Sequence, residues 1–216
     1  VELGFPDITD QIKLNGKQAV RAIFRAAEQG NVAFVKSRLE SGVMEGKPNE
    51  PKNGQTMLCI AAGLENPAGV NMTNLLLDKK ANANKNNKDG ETALAIAVEK
   101  GNVEVAEALI KHGANPNEIV DATGKSLLFI AAEAGNKELV SLLATHRAQF
   151  MKSMQNPHEL WVASQKGYTG VVDVILTFCQ DASNQHLIDR SCNGKSPLQI
   201  ARIGDTEAHF ECAELL

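Results

Sequence analysis

The sequence predicts an all-α fold, a solenoid of stacked helix-turn-helix units joined by hairpin-like fingers. Three observations carry this reading. A short motif recurs six times at near-constant spacing. Each copy joins stretches of helical periodicity through Gly- and Asn-rich turns. Aromatic residues are only 4% of a chain that is 43% hydrophobic, so the core is made of Ala, Leu, Ile and Val, as closely packed helices require.

The motif reads FRAAEQGN at 24–31, CIAAGLEN at 59–66, AIAVEKGN at 95–102 and FIAAEAGN at 129–136. WVASQKGY at 161–168 and QIARIGD at 199–205 are weaker copies. The shared residues Ala26, Ala61, Ala97, Ala131, Ala163 and Ala201 stand 35, 36, 34, 32 and 38 residues apart. NGQT (53–56), DGET (89–92), TGKS (123–126) and NGKS (193–196) precede four copies. KKANAN (79–84), KHGANPN (111–117) and the degraded THRAQF (145–150) follow three.

Each element of one copy has a physical cause. Thr92 is an N-cap for a short helix running to Lys100, and Gly101 ends it. Val103, Val105, Ala106, Leu109 and Ile110 fall at helical spacing and form a second amphipathic helix, closed by His112 and Gly113. The stretches leading to Gly90 and Gly124 are turns in which Gly supplies positive φ. Helices this short are marginal alone. Stacking successive copies buries the remaining apolar face and gives an open solenoid.

With these motifs the chain resembles the ankyrin-repeat family, whose repeat is 33 residues with a T-P-L-H-x-A core. DGETALAIAVEKGNVEVAEALIKHGANPN (89–117) follows the family pattern almost end to end. The resemblance covers residues 17–216, with copies near 17–50, 51–86, 87–120, 121–152, 153–188 and 189–216, after an N-terminal extension at 1–16. Pro6 and Gly4 argue against helix in that extension. The tetrad itself reads TMLC, TALA, SLLF, HELW and SPLQ in copies two to six. Cys59, Ala95, Phe129, Trp161 and Gln199 fill the slot of the family His, so stacking is expected to rest more on apolar packing. Copies two and six carry extra residues before their Leu pairs. In copy two, Asn66 reads as an N-cap with Pro67 at the first helical position. The first copy reads as an N-terminal cap with Lys17, Arg21 and Arg25 on a solvated face.

Composition and motifs exclude several functions. The formal net charge is −4, so the basic footprint of a nucleic-acid binder is missing. No apolar run is long enough to span a membrane, and the N-terminus lacks the pattern of a signal peptide. Both ends read as cut from a longer chain. Cys59, Cys179, Cys192 and Cys212 form no CxxC pair and read as reduced, buried thiols. No catalytic or metal constellation is found, and no cofactor is expected. His209 and Cys212 stand three apart without a second ligand pair and read as ordinary helix surface. His112 complements a helix C-terminus, and His158 is expected to act as a local cap. TGKS and NGKS fall on fingers and lack the rest of a phosphate-binding loop.

The resemblance implies binding through finger tips and the exposed ends of first helices. Carried onto this chain, the tips are Lys52, Asn53, Gln55, Lys88, Asp89, Glu91, Thr123, Lys125, Gln155, Asn193 and Lys195. The first-helix positions are Glu28, Gln29, Leu64, Glu99, Lys100, Glu133, Gln165, Lys166 and Arg202. Trp161 reads either as a filler between copies four and five or as an exposed anchor. Phe150, Met151 and Met154 read as an adaptable binding segment or as packed back on a finger. The polar set holds six Lys and one Arg against five acids, while Glu104, Glu107, Glu138, Asp173, Glu207, Glu211 and Glu214 fall on second helices. The expectation is a non-catalytic, monomeric, intracellular scaffold, most simply cytoplasmic. Its concave face would bind a protein partner of acidic or mixed charge, with no nucleic acid and no membrane insertion. The alternative is a targeting module of a larger enzyme. The Asn- and Lys-rich finger at 82–90 adds a host-directed bacterial effector, acting in host cytoplasm, to that alternative.

Overall fold

A computed structural model describes residues 16–41, 54–120, 124–150, 158–179 and 186–216. Of the extension at 1–16, residues 1–15, and with them the reading of Pro6 and Gly4, lie outside the described residues, as do Met151 and Met154, while Gly16 already begins the first helix. The chain divides into two compact units, Val1–Ala93 and Leu94–Leu216.

The first unit contains α1 (Gly16–Glu28), α2 (Val32–Glu40), α3 (Met57–Ala62) and α4 (Ala68–Asp78). The first helices of copies one and two, α1 and α3, pack on each other, and the second helices α2 and α4 pack on each other and on their partners. Ile23, Ala26, Val35, Met57, Ala61, Met72 and Leu76 are fully buried there. Each large aliphatic side chain so buried stabilises the unit by about 1.5–3 kcal/mol. Helix α4 begins at Ala68, one residue later than the sequence suggests. Pro67 itself occupies the N-cap position, in helical φ/ψ and without a side-chain cap bond, so the restart in copy two is real but the N-cap position falls one residue past Asn66.

Helix α5 (Ala93–Glu99) starts at the division between the units. The second unit continues with α6 (Val103–Lys111), α7 (Leu127–Glu133), α8 (Lys137–Thr145), α9 (Glu159–Lys166), α10 (Thr169–Cys179), α11 (His186–Asp189), α12 (Pro197–Ala201) and α13 (Glu207–Leu215). First helices α7, α9 and α12 stack in succession, and second helices α6, α8, α10 and α13 stack beside them. The short α11 straddles the boundary between copies five and six and has no counterpart in the repeat pattern.

The recurring motif is explained by how helices start and stop. In copies one, three, four and five, the shared Ala carbonyl accepts the N–H of the residue just past the Gly: Asn31, Asn102, Asn136 and Tyr168, at 2.8–3.0 Å. This bond can form because Gly30, Gly101, Gly135 and Gly167 adopt φ of 68–73°, the left-handed turn favoured by glycine. Asn31, Asn102 and Asn136 then cap the second helix, each side-chain oxygen accepting from the backbone N–H three residues on. Thr56, Ser126 and Ser196 cap first helices in the same way. Second helices close similarly, with the N–H of Ala81, Ala114 and Ala148 donating to Leu76, Leu109 and Leu143. There the left-handed residue is Gly113 in one copy but Lys80 and Arg147 in the others, at φ 65° and 63°.

Candidate partner-binding face

The fingers are built by polar contacts that fix their tips. In copy three, the buried Asn87 organises the turn. Its Oδ1 accepts from the N–H of Asp89 and Glu91, both at 2.9 Å, and its Nδ2 donates to Glu91 Oε2 at 2.8 Å and Gln55 Oε1 at 3.5 Å. The Lys88 N–H donates to the Gly54 carbonyl at 2.6 Å, joining the fingers of copies two and three. Lys88 and Asp89 thus project from a turn whose backbone is pinned, while Gln55 and Glu91 are half-buried. In the second unit, Asn117 ties one finger to the next copy. Its Oδ1 accepts from the Gln149 N–H at 2.7 Å and its Nδ2 donates to the Arg147 carbonyl at 3.3 Å. The NKNNKDG composition signals Asn87, a side chain that caps its own turn; the long-range partners of Asn117 leave no such local mark.

The first-helix ends of copies four and five are braced together. Lys125 Nζ lies 2.9 Å from Glu133 Oε2 and sits 5.3 Å from the centre of the Phe129 ring. Lys166 Nζ donates to the Glu133 carbonyl at 2.7 Å and lies 5.9 Å from the Tyr168 ring centre. An exposed ion pair adds little stability. Glu133 here holds one ammonium group with its carboxylate and a second with its backbone carbonyl. Glu99, Lys100, Gln165 and Lys166 are exposed at equivalent positions. Lys52, Asn53, Thr123 and Gln155 lie outside the described residues.

Trp161 is corrected as a surface anchor. It is 6% exposed and its Nε1 donates to the Lys195 carbonyl at 3.0 Å. Its burial fits the reading as a filler, and its indole N–H reaches into copy six. In copy two the same slot behaves alike, Cys59 Sγ lying 3.7 Å from the Glu91 carbonyl. Both reach the residue just before the cap of the next copy, so the substitutions retain part of the inter-finger bonding that the loss of His was expected to remove. His158 is also corrected. It makes no cap bond and is fully buried, with Nε2 3.0 Å from the Arg190 carbonyl in copy six. Phe150 is buried, which favours packing back for that residue.

The groups with possible chemistry have structural environments. All four cysteines are free and buried. Burial pushes the Cys179 thiol up to about 11, and the nearby Glu159 carboxylate adds to the shift. Burial, then Glu211, raises Cys212 as well. Thiols so shifted are poor nucleophiles near neutral pH. Cys212 is fully buried, while His209 is held by Thr206 Oγ1 at 2.5 Å and the Gln165 carbonyl at 2.9 Å. His112 Nδ1 donates to the Ala108 carbonyl at 2.9 Å, as expected for a residue closing a helix. On α6, the Lys111 ammonium bonded to Glu107 holds that carboxyl below its usual range. Among the described residues, no group of three His, Cys, Asp or Glu is placed to hold a metal ion. No helix among them is long and apolar enough to cross a membrane.

The helix pairs, their capped fingers and the repeat period define an all-α repeat protein. The family described as ankyrin repeats (3 copies) matches residues 23–119 and 65–154, more than half of the chain, and the chain belongs to the ankyrin-repeat family. Human ankyrin repeat domain-containing protein 63 is 29% identical over 114 residues, covering 51% of this chain and 29% of that protein. The ankyrin repeat and KH domain-containing protein mask-1 of Caenorhabditis elegans is 35% identical over 100 residues, covering 46% of this chain and 4% of that protein. The chain thus spans less than a third of the length of these curated relatives. The crystal structure of the human ASB11 ankyrin repeat domain superposes with a TM-score of 0.69 at 21% identity, covering 89% of this chain and 82% of that one. Ankyrin-repeat domains are in general protein-interaction modules.

Proposed function

We propose that this chain is a non-catalytic scaffold that binds a partner polypeptide along its finger tips and first-helix ends. The carrying observation is the brace of Lys125, Glu133 and Lys166, which presents a prearranged polar surface across two adjacent copies. Prearrangement reduces the ordering cost of association. A stable complex buries about 1,200–2,000 Å² in total, more than one finger supplies, so at least three copies take part. The lysines favour an acidic or mixed-charge partner, chiefly through association rate and orientation. The chain acts as a monomer inside the cell, where buried free thiols remain reduced.

Reversing Lys100, Lys125 and Lys166 to Glu is expected to weaken capture of the partner at least tenfold, with the melting transition retained. Reversing Glu104, Glu107 and Glu138 to Lys is expected to matter much less. Affinity capture with mass spectrometry identifies the partner, and titration of both variants tests the face. Loss of binding only in the second set would overturn the assignment. A second reading, a recruiting module within a larger enzyme, is favoured by the much greater length of the relatives. The full reading frame tests it.

A further inference from the structure

Two residues past the shared alanine, the six copies hold Glu28, Gly63, Glu99, Glu133, Gln165 and Ile203. Ile203 is the aliphatic exception. It follows α12, its N–H donating to the Ile200 carbonyl at 3.2 Å, and it is 59% exposed. Exposed cations accompany it on copies five and six. Lys166 ends α9, Lys195 lies in the adjoining finger, and Arg202 directly precedes it. Helix α9 packs on α12, and the bond from Trp161 to the Lys195 carbonyl fixes the finger against α9. Lys166 is held by the Glu133 carbonyl, which leaves other ammonium N–H groups for a ligand. Among the described finger-tip and first-helix-end residues of these two copies there is no carboxylate. Asp189 and Asp205 lie in α11 and in the turn to α13.

An exposed aliphatic side chain accompanied by three cations complements an acidic chain carrying one apolar side chain. Resting on the scaffold reading above, we infer that copies five and six hold an extended acidic segment with a single aliphatic or aromatic residue. That residue lies on Ile203, and flanking carboxylates meet Lys166, Lys195 and Arg202. Neighbouring first helices lie about 8–10 Å apart, and an extended chain advances about 3.3 Å per residue. The carboxylate for Lys166 therefore stands about three residues from the apolar side chain.

The probe is a fluorescein-labelled peptide in which Glu residues flank one Leu at that spacing, titrated by anisotropy against the full chain. Saturable binding is expected. It should weaken roughly tenfold when the peptide Leu becomes Ser, and equally in the Ile203→Ser protein, since each removes one apolar burial. Arg202→Glu should weaken it further. Phe210→Ser, which alters an apolar side chain of similar exposure on α13, should leave it unchanged. Absence of saturable binding, indifference to Ile203→Ser, or equal loss in Phe210→Ser would overturn the inference. If the peptide fails while a captured partner still depends on Lys100 and Lys125, the inference fails alone. If neither binds, the scaffold reading fails with it.

Discussion

Copy three and copy five solve the same packing problem with different chemistry. Copy three follows the family pattern, and its helices are closed by contacts within its own sequence, such as Asn102 to the Val105 N–H and the Ala114 N–H to Leu109. Copy five places His158, Glu159 and Ser164 in fully buried positions. It satisfies them partly at long range: His158 reaches Arg190, and Glu159 accepts from Ser126 Oγ at 3.2 Å. Ser164 bonds locally, to the Leu160 carbonyl at 2.7 Å. Trp161 adds a further long-range bond, to Lys195. In copy three the long-range bonds lie in its fingers, Lys88 to Gly54 and Asn117 to Arg147, while its helix ends are closed locally. In copy five they enter the first helix itself, which makes that helix more sensitive to its neighbours.

The largest expected effect tests what the two copies share. Ala97→Glu and Ala163→Glu each put a charge at a fully buried helix contact and should cost on the order of 4 kcal/mol or more. Urea melts check this. Tolerance of Ala163→Glu alone would mean that copy five is not packed as a repeat. Next, Trp161→Phe keeps most of the apolar area but leaves the Lys195 carbonyl without that donor, for an expected loss of about 1–2 kcal/mol. A loss below about 0.5 kcal/mol would show that the long-range bonding of copy five is incidental.

Alkaline stability distinguishes the copies more finely. The folded state raises the Cys179 thiol from 9.0 to about 11. The fold therefore favours the protonated thiol. This contribution is complete below the unfolded value of 9.0 and is lost as pH rises through about 11, at up to about 1.4 kcal/mol per pH unit. Denaturation midpoints should fall in that window, and Cys179→Ala should flatten the fall. An unchanged slope in that variant would remove Cys179 as the cause. The smallest effect is a gain. Arg147 sits at φ 63° where copy three has Gly113, so Arg147→Gly should stabilise by about 0.5–1 kcal/mol. A loss of stability would show that the Arg147 side chain contributes more than its backbone costs.

The repeat was legible because its signals are local and periodic: an alanine, a glycine that turns left-handed, an asparagine that caps. The face carried over from the family is described at Lys88, Asp89, Glu99, Lys100, Gln165 and Lys166 as exposed positions. What could not be read was anything set by residues some thirty positions apart. Whether Trp161 points outward or donates to Lys195 depends on the finger of the next copy, and no periodicity encodes that. His158 looked like a cap because it stands where Thr56 and Ser126 cap, yet its ring is drawn to Arg190 instead. Ile203 was passed over because a single apolar residue in a weak copy carries no pattern.

The bond from the shared alanine carbonyl to the residue past the glycine has a consequence for ancestry and engineering. A helix that carries its own stop, followed at once by the cap of the next, can be duplicated, deleted or exchanged without rewriting its surroundings. Cuts made at Gly101 or Gly135 should therefore yield viable chimaeras. Copy two lacks this step: Gly63 has φ −84° and the Leu64 N–H returns to Ala61 in a tighter turn. A junction there would inherit a connector matched to one neighbour only.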